Sequence, residues 1–592
     1  MTDTCVDGKV QRVQAMLYAK ASNEPDTRFS DLYKYLTRRE WVEAAIDRVL
    51  RNRGSRTPGV DGVTRRDMLE GDARERLATS VMEELKLQTY HPQPARRVYI
   101  PKPNGKQRPL GILTLKDRVV QQVVRMTIEP IFEARFLPCS YGFRPNRCTW
   151  DALAEAYRYL RPHCHYYTVI EGDIQNCFGT INHTRLMEQL QRSIQDKRLL
   201  ALLWKMLRAG VMEDLHYFET TEGSPQGGLV SPLLANVYMH SLDEWLHTRF
   251  HALSPYERWK RGHAGELVHV RYIRYADDFV ALVRGTDEQA AALKQELADY
   301  IHEELKMTLS EEKTLITQAT EGFDFLGVHT FVGPQRSNPT KLMPYQVPAK
   351  ASVDSYKRRV RMLTASRSDY INPAERITTL NWLIEGWANY HRWGNAKDTF
   401  SALSSWTIKK VHRMLRRYTS KGKRTTYREY FRPVAECNNL AKWKRYTKWR
   451  TPSVGVDGEC RMGLLPMAVI STGRYWSYRG AKIPPAYALL STAARGIPRE
   501  TEYHTAEEVV AMARVVPKKV TERYDAFYFL RRKEAFRRDR YTCTACGYRS
   551  QRQKGEVHDL ECHHIDPDGG NALANLRTVC KPCHLILTIQ AA

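Results

Sequence analysis

Val268-His-Val-Arg-Tyr-Ile-Arg-Tyr-Ala-Asp-Asp-Phe-Val-Ala-Leu-Val283 is the stretch on which the reading of this chain turns. Val, Ile and Tyr dominate it and Ala276-Asp277-Asp278 interrupts them, which predicts two strands joined by a tight turn, with an acidic pair at the hairpin tip. Downstream, Leu293, Leu297, Ile301 and Leu305 recur at the spacing of an amphipathic helix packing onto that sheet. Upstream, Thr168-Val-Ile-Glu-Gly-Asp173 reads as a short strand ending in a third carboxylate.

Neighbouring aspartates at a turn oppose each other's ionisation unless a cation screens them. Divalent ions resolve that cost, because phosphoryl transfer uses metals to bridge attacking and leaving oxygens, and Mg²⁺ takes carboxylates, water and substrate phosphates as ligands. Asp173, Asp277 and Asp278 are the candidate carboxylates. On its own an Asp-Asp pair is more often a solvated turn, so the surrounding blocks decide.

Tyr275-Ala-Asp-Asp278 resembles the YADD box of reverse transcriptases. Thr221-Glu-Gly-Ser-Pro-Gln-Gly-Gly-Leu-Val-Ser-Pro-Leu-Leu-Ala-Asn236 resembles a block of the subset encoded by group II introns. Further matches follow the family's order: Thr57-Pro-Gly-Val-Asp-Gly62, Arg97-Val-Tyr-Ile-Pro-Lys-Pro-Asn-Gly-Lys-Gln-Arg-Pro-Leu-Gly111, Ser140-Tyr-Gly-Phe-Arg-Pro145 and Gly322-Phe-Asp-Phe-Leu-Gly327. The resemblance implies a right-hand polymerase with fingers and palm, an antiparallel palm sheet and two Mg²⁺ ions on the three aspartates. It places Lys102 and Arg108 against the incoming triphosphate and Gln226 along the nucleotide, with Gly227 and Gly228 letting backbone approach substrate. Phe178 occupies the position of a gate against the ribose 2′-hydroxyl, which implies DNA synthesis from dNTPs. Many relatives carry an acidic residue after this Phe, where this chain has Gly179. Lys313, in Ser310-Glu-Glu-Lys-Thr314, matches a lysine near the nucleotide.

A net charge of +26 points to a polyanionic partner. The excess is concentrated between Lys409 and Arg450, where about fifteen Lys or Arg face only Glu429 and Glu436, with Trp406 just before them and Tyr418, Tyr427, Tyr446 and Trp449 among them. Cations neutralise phosphates and rings offer stacking surfaces, which suits RNA or single strands. Lys409, Lys410, Arg413, Arg416, Arg417, Lys442, Lys444 and Arg445 are the candidate RNA contacts. Trp382-Leu-Ile-Glu-Gly-Trp-Ala-Asn-Tyr-His391 resembles a signature of the helical thumb that intron-encoded members use as a maturase domain, although such aromatics also serve as core packing.

Of twelve cysteines, Cys543, Cys546, Cys562, Cys580 and Cys583 crowd the tail. Cys543-Thr-Ala-Cys546 and Cys580-Lys-Pro-Cys583 are spaced to hold one structural Zn²⁺ through four thiolates, and Cys562 is expected to pack instead. Between and beside them lie His563, His564, Asn575 and His584, an order that resembles HNH endonucleases. The resemblance makes His563 and His584 ligands of one catalytic divalent ion, His564 the general base, and Asn575 a group that orients the base or helps hold the metal. A zinc ribbon that grips DNA without cutting it is the plainer alternative.

The expected architecture is multidomain, α/β plus α: an N-terminal extension and start of the fingers at 1–90, fingers and palm at 91–340, thumb at 341–450, a DNA-binding region at 451–530, and a ββα-metal HNH domain at 531–592. The stretch Phe331–Pro348, with Gly333, Pro334, Pro339, Pro344 and Pro348, is expected to be an irregular linker. No apolar run approaches a bilayer span and no signal peptide is apparent, so the expected compartment is the cytosol. The expected partners are an intron RNA, a target DNA and dNTPs. A splicing-only maturase, or a reverse transcriptase of a non-intron element, are the alternatives, and oligomeric state is left open.

Overall fold

The computed structural model describes residues 3–101, 107–213, 216–218, 222–223, 227–366, 372–443, 446, 449–456, 460–473, 487, 532, 534–546, 560–564 and 576–580. From the N-terminus, α1 (Asp3–Asn23), α2 (Tyr33–Leu36), α3 (Arg39–Arg51) and α4 (Ala73–Lys86) lead into the hairpin β1 (Ala95–Pro101) and β2 (Gln107–Ile112). Next come α5 (Leu115–Arg135), α6 (Thr149–Tyr159), β3 (Thr168–Asp173), α7 (His183–Gln191), α8 (Lys197–Leu207), β4 (Val211–Glu213) and β5 (His216–Phe218). The palm is completed by α9 (Ser231–Leu246), α10 (Pro255–His263), β6 (Val270–Tyr275), β7 (Asp278–Val283), α11 (Asp287–Glu303) and β8 (Leu315–Gln318). Helix α5 is buried along most of its length, and α1 and α3 pack on it, with Trp41 Nε1 donating to Thr127 Oγ1 at 3.0 Å.

Two four-stranded sheets organise this half. One has the order β2-β1-β4-β5, and the other, β6-β7-β3-β8, is antiparallel throughout. The second is covered on both faces, so β7 reads Phe-Val-Ala-Leu-Val rather than alternating apolar with polar. Ile170, Tyr272, Phe279, Ala281 and Val283 face the core built by α5, α9 and α11. Val169, Ile273, Val280 and Leu282 face a second core with Trp150, Phe323 and Phe325. The helix expected from the leucine spacing is α11, burying Leu293, Leu297 and Ile301; it ends at Glu303, so Leu305 is buried just beyond it rather than on it.

The expected linker is instead a β-hairpin. Strands β9 (Phe323–Phe325), β10 (Val328–Gln335) and β11 (Asn338–Pro348) form a sheet of order β11-β10-β9. The prolines mislead because β11 is an edge strand, where a missing N–H on the outer side breaks no ladder, and Pro334 sits at a register shift. The hairpin leads into α12 (Lys350–Leu363), α13 (Pro373–His391), α14 (Lys397–Thr419) and α15 (Lys423–Tyr430).

Their core continues past the expected boundary at 450. Strands β12 (Phe431–Pro433), β13 (Arg450–Val456) and β14 (Cys460–Gly463) form a small sheet, and Leu464, Leu465, Met467, Val469 and Ile470 share one core with Tyr356, Ile384 and Phe400. Within the expected DNA-binding region, Tyr487 lies in the first half of the molecule: it stacks on Tyr18 at 6.0 Å and donates to Glu129 Oε2 at 2.9 Å. Near the C-terminus, β15 (Leu560–His564) and β16 (Leu576–Cys580) pair antiparallel around Ala535, Phe536, Cys562 and Val579. No described helix is long and apolar enough to cross a membrane.

Candidate active site

The palm sheet brings the three expected carboxylates together at one end of its inner strands. Asp173 ends β3 and pairs in register with Asp278, the first residue of β7, while Asp277 occupies the turn between β6 and β7. Ala276 takes a left-handed conformation with φ +61°, which makes the turn tight. Burial, and then Asp173's charge, raise the Asp277 carboxyl above the ordinary range, with Arg108 and Lys313 opposing. Asp278 is exposed, yet desolvation by the surrounding protein followed by the charges of Asp277 and Asp173 pushes its carboxyl up to about 7. A cluster that resists full ionisation and offers only oxygen donors fits Mg²⁺.

Lys313 is brought to the same place: its Nζ donates to Asp173 Oδ2 at 2.6 Å. That contact raises the lysine's own pKa, so it stays charged. Phe178 lies half-buried in the turn after β3, with Phe143 edge-on at 6.1 Å and 77°. Gly227 has φ +116°, and a Cβ there would stand 2.5 Å from the Gly111 carbonyl, so the loop before α9 runs directly against β2. Gly179 lies under that loop, where Gly223 N–H donates to Ile181 O at 2.8 Å and His183 bonds Gly223 O at 2.6 Å. Lys102 and Gln226 lie outside the described residues.

Sequence reading missed what holds the turn. Arg274 and Asp243 are both 0% exposed and paired, with Nη2···Oδ2 at 2.6 Å and Nε···Oδ1 at 2.8 Å. Burial raises the Asp243 carboxyl, but Arg274 beside it wins and holds it below its usual range. The same guanidinium donates to Ala276 O at 2.9 Å, Asn236 Oδ1 at 3.1 Å and Ser140 Oγ at 2.9 Å. Asn236 in turn donates to Gly142 O at 2.8 Å, and a Cβ on Gly142 would fall 2.3 Å from Ala276 N. Three separated sequence blocks thus converge on the backbone of the acidic turn. The available signal was a charged residue inside an apolar strand, which burial permits only when paired.

In the thumb, Lys409, Arg413 and Arg416 are exposed on α14. Lys410 and Arg361 lie over the Trp406 ring at 5.4 and 5.6 Å. Arg417 closes the end of α12, donating to Thr364 O at 2.6 Å, which gives it a structural role. The Lys442 side chain, Lys444 and Arg445 lie outside the described residues. Much of the Trp382–His391 signature is structural: Trp387 packs on Tyr356 at 5.3 Å, Tyr390 donates to Leu326 O at 2.6 Å, and His391 is buried against Ser352 at 2.9 Å. Trp382 itself is 70% exposed.

At the C-terminus, Cys543, Cys546 and Cys580 place their sulfurs within 4.8 Å of one another. Burial raises the Cys543 thiol, but hydrogen bonds from the Cys580, Cys546 and Ala545 backbone outweigh it and bring it down to about 6. A thiolate-prone cluster of this kind fits Zn²⁺. Cys562 packs in the hairpin core, and burial pushes its thiol up to about 12, in keeping with a residue that is not a ligand. His563 is half-buried on β15 and His564 ends that strand, whereas Asn575, Cys583 and His584 lie outside the described residues.

Known proteins resemble the chain along the same stretches. Residues 100–330 match the family described as reverse transcriptase (RNA-dependent DNA polymerase), and residues 353–431 match the group II intron maturase-specific domain. Protein YkfC of Escherichia coli is 39% identical over 337 residues, 54% of this chain and 87% of YkfC. Group II intron-encoded protein LtrA of Lactococcus lactis subsp. cremoris is 35% identical over 347 residues, 51% of this chain and 57% of LtrA. The chain therefore belongs to the group II intron-encoded reverse transcriptase and maturase family.

Proposed function

We propose that the chain is an RNA-directed DNA polymerase that also binds its intron RNA and assists splicing, and that its C-terminal part nicks target DNA to prime synthesis. The convergence of Asp173, Asp277 and Asp278 at one end of the palm sheet, beside Lys313, carries the polymerase reading. Bound by these three carboxylates, two Mg²⁺ ions would supply the charge stabilisation that phosphoryl transfer needs. Arg108 and Lys102 would offset the triphosphate's charge, and Gln226 and Gly227 would lie along the nucleotide.

Phe178 would exclude a 2′-hydroxyl. Phe178→Ala is then expected to raise ribonucleotide use relative to deoxyribonucleotide on the order of 10- to 100-fold, read as the ratio of kcat/KM values. Unchanged discrimination would return the ring to a packing role.

The exposed cations of α14 and the Arg361–Trp406–Lys410 stack support RNA binding by the thumb. Splicing of RNA transcribed from the gene's flanks, at low magnesium, tests the maturase role. Splicing is expected only when the protein is added; equal splicing without it would remove that role.

The nuclease reading rests on the cysteine cluster beside a two-stranded hairpin that carries His563 and His564. Cys543, Cys546, Cys580 and Cys583 would hold Zn²⁺, which would fix the hairpin. His563 and His584, with Asn575, would hold one divalent ion, and His564 would take the proton from water. Stripping zinc with a chelator is expected to expose residues 534–580 to protease while leaving the palm protected, since zinc affinity is folding energy in so small a unit. Equal protection with and without chelator would contradict a structural zinc.

A further inference from the structure

Helix α10 buries none of its nine residues. Its chain is nevertheless held in a defined helix: Pro255 opens it, Ser254 and Glu257 form a reciprocal capping box, Arg258 donates to Phe250 O at 3.1 Å, and Gln289 donates to Gly265 O at 2.7 Å. On its outer side Tyr256 and Trp259, 68% and 57% exposed, stack with centroids 6.2 Å apart, and His263 continues the row 4.3 Å from Trp259. Lone exposed aromatics are ordinary, but a stacked row on a helix with no buried residue is a contact surface without its partner.

Charge selects the partner. Arg258, Lys260 and Arg261 share the helix with Glu257, whose carboxylate accepts the Ser254 N–H at 2.9 Å. Cations beside exposed rings suit phosphates and unstacked bases. Helix α10 ends at His263, with six residues between it and the start of β6 at Val270, and that six-residue strand itself runs roughly 17–20 Å to the acidic turn. The surface shares no residue with the nucleotide site or with α14.

We propose that α10 is a second RNA-binding element, which grips an unpaired RNA segment by stacking bases on Tyr256 and Trp259. Only the choice of RNA over single-stranded DNA rests on the function proposed above.

The probes are a 20-nucleotide oligouridylate carrying 4-thiouridine, the matching oligothymidylate, and a 20-base-pair RNA duplex, each with the full-length protein. Tyr256→Ala/Trp259→Ala is expected to weaken oligouridylate binding about tenfold and to change duplex binding less than about twofold. The Tyr256→Phe/Trp259→Phe protein should keep its affinity, and crosslinks should map to residues 255–263. Unchanged oligouridylate affinity of the alanine protein, an equal loss in the phenylalanine protein, or a larger loss for oligothymidylate would each overturn the proposal. Primer extension by the alanine variant on a short template-primer should equal wild type. If wild type extends nothing, the polymerase reading fails while the binding comparison still decides the role of α10.

Discussion

Asp277→Asn is expected to lower single-nucleotide incorporation by about 10³-fold or more, because the turn loses one of the three clustered carboxylates proposed to hold the metal ions. The same change is expected to stabilise the metal-free protein at alkaline pH. The sign follows from the raised carboxyls of Asp277 and Asp278. A group whose folded pKa lies above its unfolded value holds its proton more readily when folded, so stability falls as pH rises from the unfolded value toward about 7. Removing one charge relieves that loss. The gain at pH 8 should be on the order of 1–2 kcal/mol once solvent screening at the exposed turn is counted, and should vanish below about pH 4. Thermal unfolding without Mg²⁺ at both pH values checks it. An inactive variant no more stable than wild type at pH 8 would mean that the carboxylates do not repel.

Asp243→Ala is expected to cost about 3–5 kcal/mol, since it leaves the Arg274 guanidinium buried without its counter-charge. The acidic turn should loosen with it, because Arg274 holds the Ala276 carbonyl. Asp243→Leu combined with Arg274→Met separates the two effects. The pair should recover most of the stability, as apolar replacements of buried ion pairs commonly do, while incorporation stays well below wild type. Full activity in this double variant would show that the turn needs no tether from Arg274.

The palm was legible because its sequence carries both a periodic pattern and ordered chemistry. The strand, turn and strand at residues 270–283, the carboxylate ending β3 and helix α11 all lie where residue spacing puts them. The hairpin at Val328–Pro348 was not legible, because proline forbids a strand only where its N–H is needed, and edge position is a tertiary fact. Arg274 shows the same limit. A charged residue in an apolar strand signals a partner, but Asp243 lies 31 positions earlier on another element, and only the fold pairs them. The thumb boundary was set by the end of a basic run, whereas the apolar residues after Arg450 complete the core beneath it.

Primer extension by the wild-type protein, on a defined RNA template with a DNA primer, dNTPs and Mg²⁺, tests the central claim most directly. The three-carboxylate site predicts full-length complementary DNA, absent when Asp277 is replaced by asparagine. No extension under conditions where the protein binds the template-primer, or equal extension by wild type and Asp277→Asn, would contradict it.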